Sequence, residues 1–362
     1  MKKIHEKFMR ICLNLAKKGE GKTLPNPLVG CVIVKNGEII GKGYHKQYGK
    51  NHAEVEAIKN SQKEVKNSTL YVNLEPCSHF GKTPPCVDLI IEKKIKRVVI
   101  GTIDPNPLVS GKGIKKLKEH GIEVITGILE NECRKLNEVF FKNVLKKEAF
   151  MILKLASTLD GKIAESSKKS KWITNEKARK YVHKLRYSVS GICIGANTLR
   201  YDNPDLNARK KDNVIKKLKK IVLTRSFNFP LDLKIFSDKE NLLFLTPKNS
   251  NIPKEFQTYN VLKFENPKEI PKILYENEIY SVIVEGGAKV SYFFLKNRLI
   301  DKIYFFYANK ILGGKYSISM IEGDEEFGLE NPLIIDELKL KKVNENFLVI
   351  GYPKYLERDV RC

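Results

Sequence analysis

Short β-branched runs alternate with amphipathic segments over residues 31–129, and a second series of such runs starts at residue 151. The first series opens with CVIVKNGEIIG (31–41), two apolar runs around Asn36-Gly37, which is hairpin turn chemistry. HAEVEAIKNS (52–61) predicts a helix, STLYVNLEP (68–76) a strand, CVDLIIEKK (86–94) a helix and RVVIGTID (97–104) a strand. GKGIKKLKEHG (111–121) again reads as helix, and IEVITGIL as a strand. Strands spaced by helices pair in parallel, because a parallel crossover needs a connection long enough to hold one. The fold class is therefore α/β.

ECRKLNEVFFKNVLKKEAF (132–150) predicts a helix that closes this first series. The second contains MILKLAST (151–158), GICIGANTL (191–199), KIVLTRS (220–226), NLLFLT (241–246), YSVIVEGG (280–287), KIYFFYANKIL (302–312) and FLVIGYPKY (347–355), all expected as strands. A chain of 362 residues suits two domains, and the expected division is 1–147 and 148–362.

The net charge of +24 raises the question of nucleic acid. Each half carries +12, and the one local cluster is ARKKDNVIKKLKK (208–220). Charge spread in this way favours a solvated Lys-rich surface with a bias towards anionic small molecules; nucleic acid is the weaker alternative. Seven cysteines, odd in number and irregularly spaced, argue against a disulfide framework and for the reducing cytoplasm. Ile4, Phe8, Ile11, Cys12 and Leu15 recur at helical spacing, so the basic N-terminus predicts an amphipathic surface helix. No run of 18 apolar residues occurs, so no membrane span is expected.

His52-Ala53-Glu54 opens the first strong helix, and Cys77 and Cys86 flank the loop CSHFGKTPPC. One imidazole and two thiolates form a zinc ligand set with a fourth position left for water, the catalytic arrangement. Zinc brings the pKa of such a water to about 7, and Glu54 would carry its proton. His52 and Glu54, two apart, converge only at the irregular entry of a helix. Cys86 also starts a helix, where a thiolate is favoured. A glutamate in a first turn, or thiols beside prolines, would have structural uses alone; the combination with this order is far more specific. Nucleobase deaminases place two residues between the paired cysteines, whereas here there are eight. The longer loop brings Ser78, His79, Lys82 and Thr83 towards the rim.

With PNPLVGCVIV (25–34), HAEVEAI (52–58), LEPCSHFGKTPPC (74–86) and DPNPLVSGKG (104–113), the chain resembles the bifunctional deaminase–reductase family of riboflavin biosynthesis. The likeness continues through LASTLDGKIA (155–164), SKWIT (170–174), TLRYDNPDL (198–206) and VEGGAKV (284–290). The resemblance implies a cytidine-deaminase-like three-layer α/β/α domain followed by a dihydrofolate-reductase-like α/β domain. It implies that Asn26, Lys82 and Asn106 contact a phosphorylated pyrimidine, with Asp104 beside them; both asparagines precede prolines and could instead only shape turns. The implied first reaction is hydrolytic loss of the 2-amino group of 2,5-diamino-6-(5-phosphoribosylamino)pyrimidin-4(3H)-one.

In the second half, an apolar strand runs into Gly286-Gly287 and a helix, a place where main-chain N–H groups can bind phosphate, although GxGxxG is absent. The single tryptophan, Trp172, would by itself read as core more readily than as a cofactor contact. The resemblance implies NADPH contacts at Ala156, Trp172, Thr198, Asp202, Gly287, Ala288, Lys289, Val290, Ser291, Tyr292 and Phe293. It implies substrate contacts at Ser170, Arg186, Leu206, Arg209 and Glu285. The implied chemistry is hydride transfer to ribose C1′ of the open-chain imine. Thr224-Arg225 departs from the family's usual Asp-Ser, and Arg225 is a candidate partner for the 2′-phosphate of NADPH. Rival readings are an RNA-editing deaminase, a deaminase fused to a binding module that no longer reduces, and a structural zinc protein. Small molecules are the expected partners, with a homo-oligomer an open possibility.

Overall fold

The computed structural model describes residues 2–80, 84–107, 109–211 and 213–355. The chain divides into two compact units, Met1–Lys147 and Glu148–Cys362.

The first unit is built on β1 (Gly30–Lys35), β2 (Glu38–Tyr44), β3 (Thr69–Leu74), β4 (Arg97–Thr102) and β5 (Glu123–Ile125). Their order is β2-β1-β3-β4-β5. β1 runs antiparallel to both β2 and β3, and β3, β4 and β5 are parallel. Alternate strand residues face opposite sides. Val32, Val34, Tyr71 and Val99 meet Phe8, Met9, Cys12 and Leu13 of α1 (Lys2–Ala16). Cys31, Ile33, Leu70, Val72 and Ile100 meet Ala53 and Ala57 of α2 (Ala53–Lys59), Val87 and Ile90 of α3 (Cys86–Glu92) and Leu117 of α4 (Lys112–Glu119). Three layers result, and α2 and α3 start at the edge where β3 ends.

The helix expected over 132–150 is two helices, α5 (Glu130–Leu136) and α6 (Glu138–Lys146). Asn137 separates them because its side chain is engaged elsewhere. Its Oδ1 accepts from Leu28 N at 2.7 Å and its Nδ2 donates to Leu28 O at 3.0 Å.

In the second unit the chain runs through β6 (Phe150–Ser157), β7 (Lys162–Ala164), α7 (Glu176–Ser188), β8 (Gly191–Gly195), α8 (Ala196–Asp202), β9 (Ala208–Lys210) and β10 (Asn213–Lys216). There follow β11 (Lys219–Leu223), β12 (Leu242–Pro247), β13 (Asn260–Phe264), α9 (Ile270–Glu276), β14 (Ser281–Val284) and α10 (Ala288–Lys296). Last come β15 (Lys302–Tyr307), β16 (Ile318–Ser319), β17 (Ile334–Val343) and β18 (Asn346–Lys354). Among the described residues, nine strands form the main sheet in the order β13-β12-β11-β8-β14-β6-β15-β18-β17. The block from β13 to β15 is parallel, and β18 and β17 extend it antiparallel. Met151, Leu153 and Leu155 pack with Ile270 and Leu274 of α9 and Phe294 and Leu295 of α10. Tyr304 and Phe306 point to the other face, where the Tyr181 ring of α7 lies 5.8 Å from that of Phe306.

The strand expected over 191–199 stops at Gly195 and turns straight into α8. In the main sheet β13 and β17 are strands that the apolar runs do not mark, and outside it the short β7, β9, β10 and β16 are likewise unmarked. β17, IIDELKLKKV, is an exposed edge strand whose charges mask its period.

Candidate active sites

In the first unit, α2 begins at Ala53 with His52 as its extended N-cap residue (φ −72°, ψ 164°). Glu54 therefore lies in the first helical turn, just past the extended His52, and shares a cavity with it. Cys77 follows β3, and Cys86 begins α3 after Pro85. The His52 Nδ1 atom lies 3.5 Å from Cys77 Sγ and 3.3 Å from Cys86 Sγ. All three donor atoms lie within 4.8 Å of one another. Nitrogen and sulfur ligands on one tetrahedral zinc ion stand about 3.5 Å apart, given bonds of about 2.0 and 2.3 Å. The donor set thus fits a single metal ion with a position left open among the described residues.

The electrostatics suit such an ion. Hydrogen bonding from the Cys86 thiol, and then from His52, brings the Cys77 thiol down to about 4, while Cys86 is pushed up by its bond to Cys77. The first main-chain N–H of α3, from Cys86, points at Cys77 Sγ over 3.3 Å. The amide at that helix start therefore serves Cys77, not Cys86 as expected. Burial raises Glu54, which is 3% exposed, so it holds a proton more readily than a surface glutamate.

The cavity has a volume of about 290 Å³ and is also lined by Asn26, His45, Lys50, Glu75, His79, Asp104 and Asn106. Asn26 and Asn106, drawn from distant segments, reach the same cavity as His52 and Cys77. Lys82 and Thr83 lie outside the described residues. Burial pushes Asp104 up to about 6. His45 and Glu75 were not singled out in the sequence. Burial lowers the pKa of His45, its Nδ1 lies 3.0 Å from Asn51 O, and its Nε2 lies 3.2 Å from Asn26 Nδ2. Its ring meets His52 edge-on at 5.5 Å. A lone histidine in GYHKQYG carries no local signal of this.

The second unit contains a cavity of about 2180 Å³. Ala156, Ser170, Trp172, Arg186, Thr198, Asp202, Leu206, Arg209, Glu285, Gly287, Ala288, Lys289, Val290, Tyr292 and Phe293 all line it. Ser291 does not: it is buried, and its Oγ donates to Gly287 O at 3.1 Å. Trp172 is not core. It is 64% exposed, with the Arg179 guanidinium 4.5 Å from its ring. The cavity lies at the C-terminal ends of β6, β8, β11 and β14, where a parallel sheet places ligands. Gly287 is the N-cap of α10, and only the Thr198 hydroxyl, at 3.9 Å, would meet a Cβ there. A Cβ on Gly286 would lie 2.5 Å from Val290 Cβ, so glycine lets the turn close on its helix.

Arg186 donates to Glu285 through Nε at 2.7 Å and Nη2 at 3.1 Å, and Lys154 Nζ lies 3.4 Å from the same carboxylate. Burial alone would raise Glu285, but Arg186 and Lys154 together hold it down to about 2. Ser170 donates to Asp202 at 3.3 Å, and Arg209 pairs with Asp205. Arg225 is exposed on the cavity wall and makes no hydrogen bond or ion pair among the described residues. Among those residues no helix is long and apolar enough to cross a membrane.

A profile described as the cytidine and deoxycytidylate deaminase zinc-binding region matches residues 2–102, and one described as the RibD C-terminal domain matches residues 149–345. The riboflavin biosynthesis protein RibD of Aquifex aeolicus is 42% identical over 361 residues, spanning 98% of this chain and 100% of the relative. Acinetobacter baumannii RibD superposes with a TM-score of 0.89 at 34% identity, covering 98% of this chain and 100% of that one. A diaminohydroxyphosphoribosylaminopyrimidine deaminase/5-amino-6-(5-phosphoribosylamino)uracil reductase from Thermotoga maritima gives a TM-score of 0.85 at 40% identity, covering 98% and 99%. The expected pairing of a cytidine-deaminase-like domain with a dihydrofolate-reductase-like domain is thereby borne out. With both units matched end to end by the same relatives, the chain belongs to the RibD family of riboflavin-biosynthesis proteins.

Proposed function

We propose that the first unit deaminates 2,5-diamino-6-(5-phosphoribosylamino)pyrimidin-4(3H)-one and that the second reduces the product's ribosyl side chain to ribityl with NADPH. The observation that carries the reading is the convergence of His52, Cys77 and Cys86 within 4.8 Å, beside a cavity that His52 and Cys77 share with Glu54.

His52 Nδ1 and the two thiolates would hold zinc. Zinc there supplies the Lewis acidity that makes water reactive at neutral pH. Glu54 takes a proton from the attacking water and passes it to the ring nitrogen as the hydroxyl adds at C2; it then takes the proton of that hydroxyl and passes it to the amine, so that the C2–N bond breaks, the carbonyl forms and ammonia departs. A carboxyl raised by burial suits both halves of that shuttle. Asn26, Asn106 and Asp104 would orient the ring from the cavity wall.

In the second unit, NADPH supplies the hydride that reduces C1′. Gly287 and the first turn of α10 offer N–H groups to its pyrophosphate. Arg186, fixed by Glu285, and Arg209 offer guanidinium groups to the substrate phosphate. Arg225 supports NADPH over NADH because its side chain is free on the cavity wall, where a ribose 2′-phosphate would find a cation.

Phosphorylated pyrimidines, not nucleic acid or membrane, are the proposed partners, in a cytoplasmic setting that keeps the thiols free. Leu338 and Leu340, 62% and 71% exposed on the β17 edge, favour a homo-oligomer. Light scattering that finds only monomer would contradict that last reading.

The test is incubation of zinc-replete protein with the diaminopyrimidine ribotide. Ammonia release without NADPH, followed by NADPH oxidation once it is added, is expected. Ammonia release with no nicotinamide oxidation would contradict the reductase assignment.

A further inference from the structure

Glu75 directly follows β3 and precedes the metal ligand Cys77 by two residues. Its side chain is buried, with the residue only 3% exposed, and it pairs with no lysine or arginine among the described residues. A carboxylate taken out of water in this way needs several donors. Three main-chain N–H groups supply them. Asp104 N and Gly111 N reach Oε2 at 3.3 and 3.0 Å, and Ile114 N reaches Oε1 at 3.2 Å.

All three donors lie in one segment, residues 104–114, which runs from the end of β4 into the first turn of α4. Gly111, the N-cap of α4, has no side chain with which to cap its own helix. The cap is delivered instead from the metal-binding segment. Gly113 allows the approach: a Cβ there would collide with Pro76 O and lie 3.1 Å from Glu75 Oε1. The linkage continues, because the Asp104 carboxylate accepts from Asn106 N at 2.8 Å. Asp104 and Asn106 form part of the wall of the cavity that contains His52, Glu54 and Cys77. One carboxylate therefore ties the stretch carrying Cys77 to the stretch carrying two wall residues.

We propose that Glu75 is a positioning residue of the deaminase: it holds the 104–107 wall in register with the metal-binding segment, and so sets how tightly the pyrimidine is gripped. The proposal rests on the deaminase reading above and adds to it a cavity-lining residue that acts through the wall it holds.

The experiment uses full-length, zinc-replete protein carrying Glu75→Gln, which keeps the size but turns one acceptor into a donor facing N–H groups. KM for the ribotide should rise about 10- to 100-fold, the worth of a lost charge-assisted bond, with kcat within about threefold of wild type. Zinc content should be unchanged, and the reductase activity of the same preparation should stay at the wild-type level. The double variant Glu75→Gln/Asn106→Ala should be no worse than Asn106→Ala alone, because both act through one wall. Gly113→Ala, which pushes the segment off from the other side, should give the same selective rise in KM. An unchanged KM, additive effects, or zinc loss with a fall in kcat would overturn the proposal. Absence of ammonia from wild type would instead refute the deaminase reading, and this proposal with it.

Discussion

Glu54 and the three proposed metal ligands come from three chain segments, and each has a separable job. Glu54→Gln keeps the shape and the metal but not the proton shuttle. Deamination should fall about 10²- to 10⁴-fold with zinc content intact, as read by ammonia release and metal analysis. Full activity in that variant would remove Glu54 from its role. In the second unit, Arg225→Ser should lower the preference for NADP⁺ over NAD⁺ about tenfold or more, measured as the ratio of the two dissociation constants. An unchanged ratio would leave the 2′-phosphate to another side chain. The metal set was legible because His-Ala-Glu and the cysteines flanking Pro84-Pro85 are local patterns. Glu75 was not, because its partners lie 29 to 39 residues away in sequence, and neither was His45, whose contact with Asn26 spans 19.

Elements bring these residues together by close approach. A Cβ on Gly43 of β2 would collide with the Ala53 carbonyl and Ala57 amide of α2, the helix that carries Glu54. Gly43→Ala should displace α2, cost about 1–3 kcal/mol of stability and weaken zinc binding, as checked by denaturation and metal competition. Just past β14, the Glu285 carboxylate is held down to about 2, against an unfolded value of about 4.3. Its contribution to stability is present above about pH 4 and is lost as pH falls towards 2. Acid unfolding of the second unit, followed by Trp172 fluorescence, should lose that pH dependence in Glu285→Gln, which is also less stable at neutral pH because Arg186 is left buried without its partner. The parallel strands around β14 were legible as apolar runs. The break at Asn137 was not, because a side chain bonding Leu28 in both directions overrides helical periodicity.

At the scale of the whole molecule, two units with their own cores imply separable chemistry. A chelator should abolish deamination while leaving NADPH-dependent reduction of the deaminated intermediate unaffected; loss of both would mean the metal supports the whole chain. The two-part organisation was visible in the restart of the strand pattern after residue 150. The antiparallel extension by β17 was not, since an edge strand with lysines on it lacks the apolar run that marks a central one. Both activities follow from where loops meet strand ends, and the claim beneath the first is that an imidazole and two sulfurs share one ion. X-ray absorption at the zinc edge of the intact protein measures this directly. The account predicts two sulfurs at about 2.3 Å and two nitrogen or oxygen neighbours at about 2.0–2.1 Å. A closed set of four protein ligands, or fewer than two sulfurs, would contradict it.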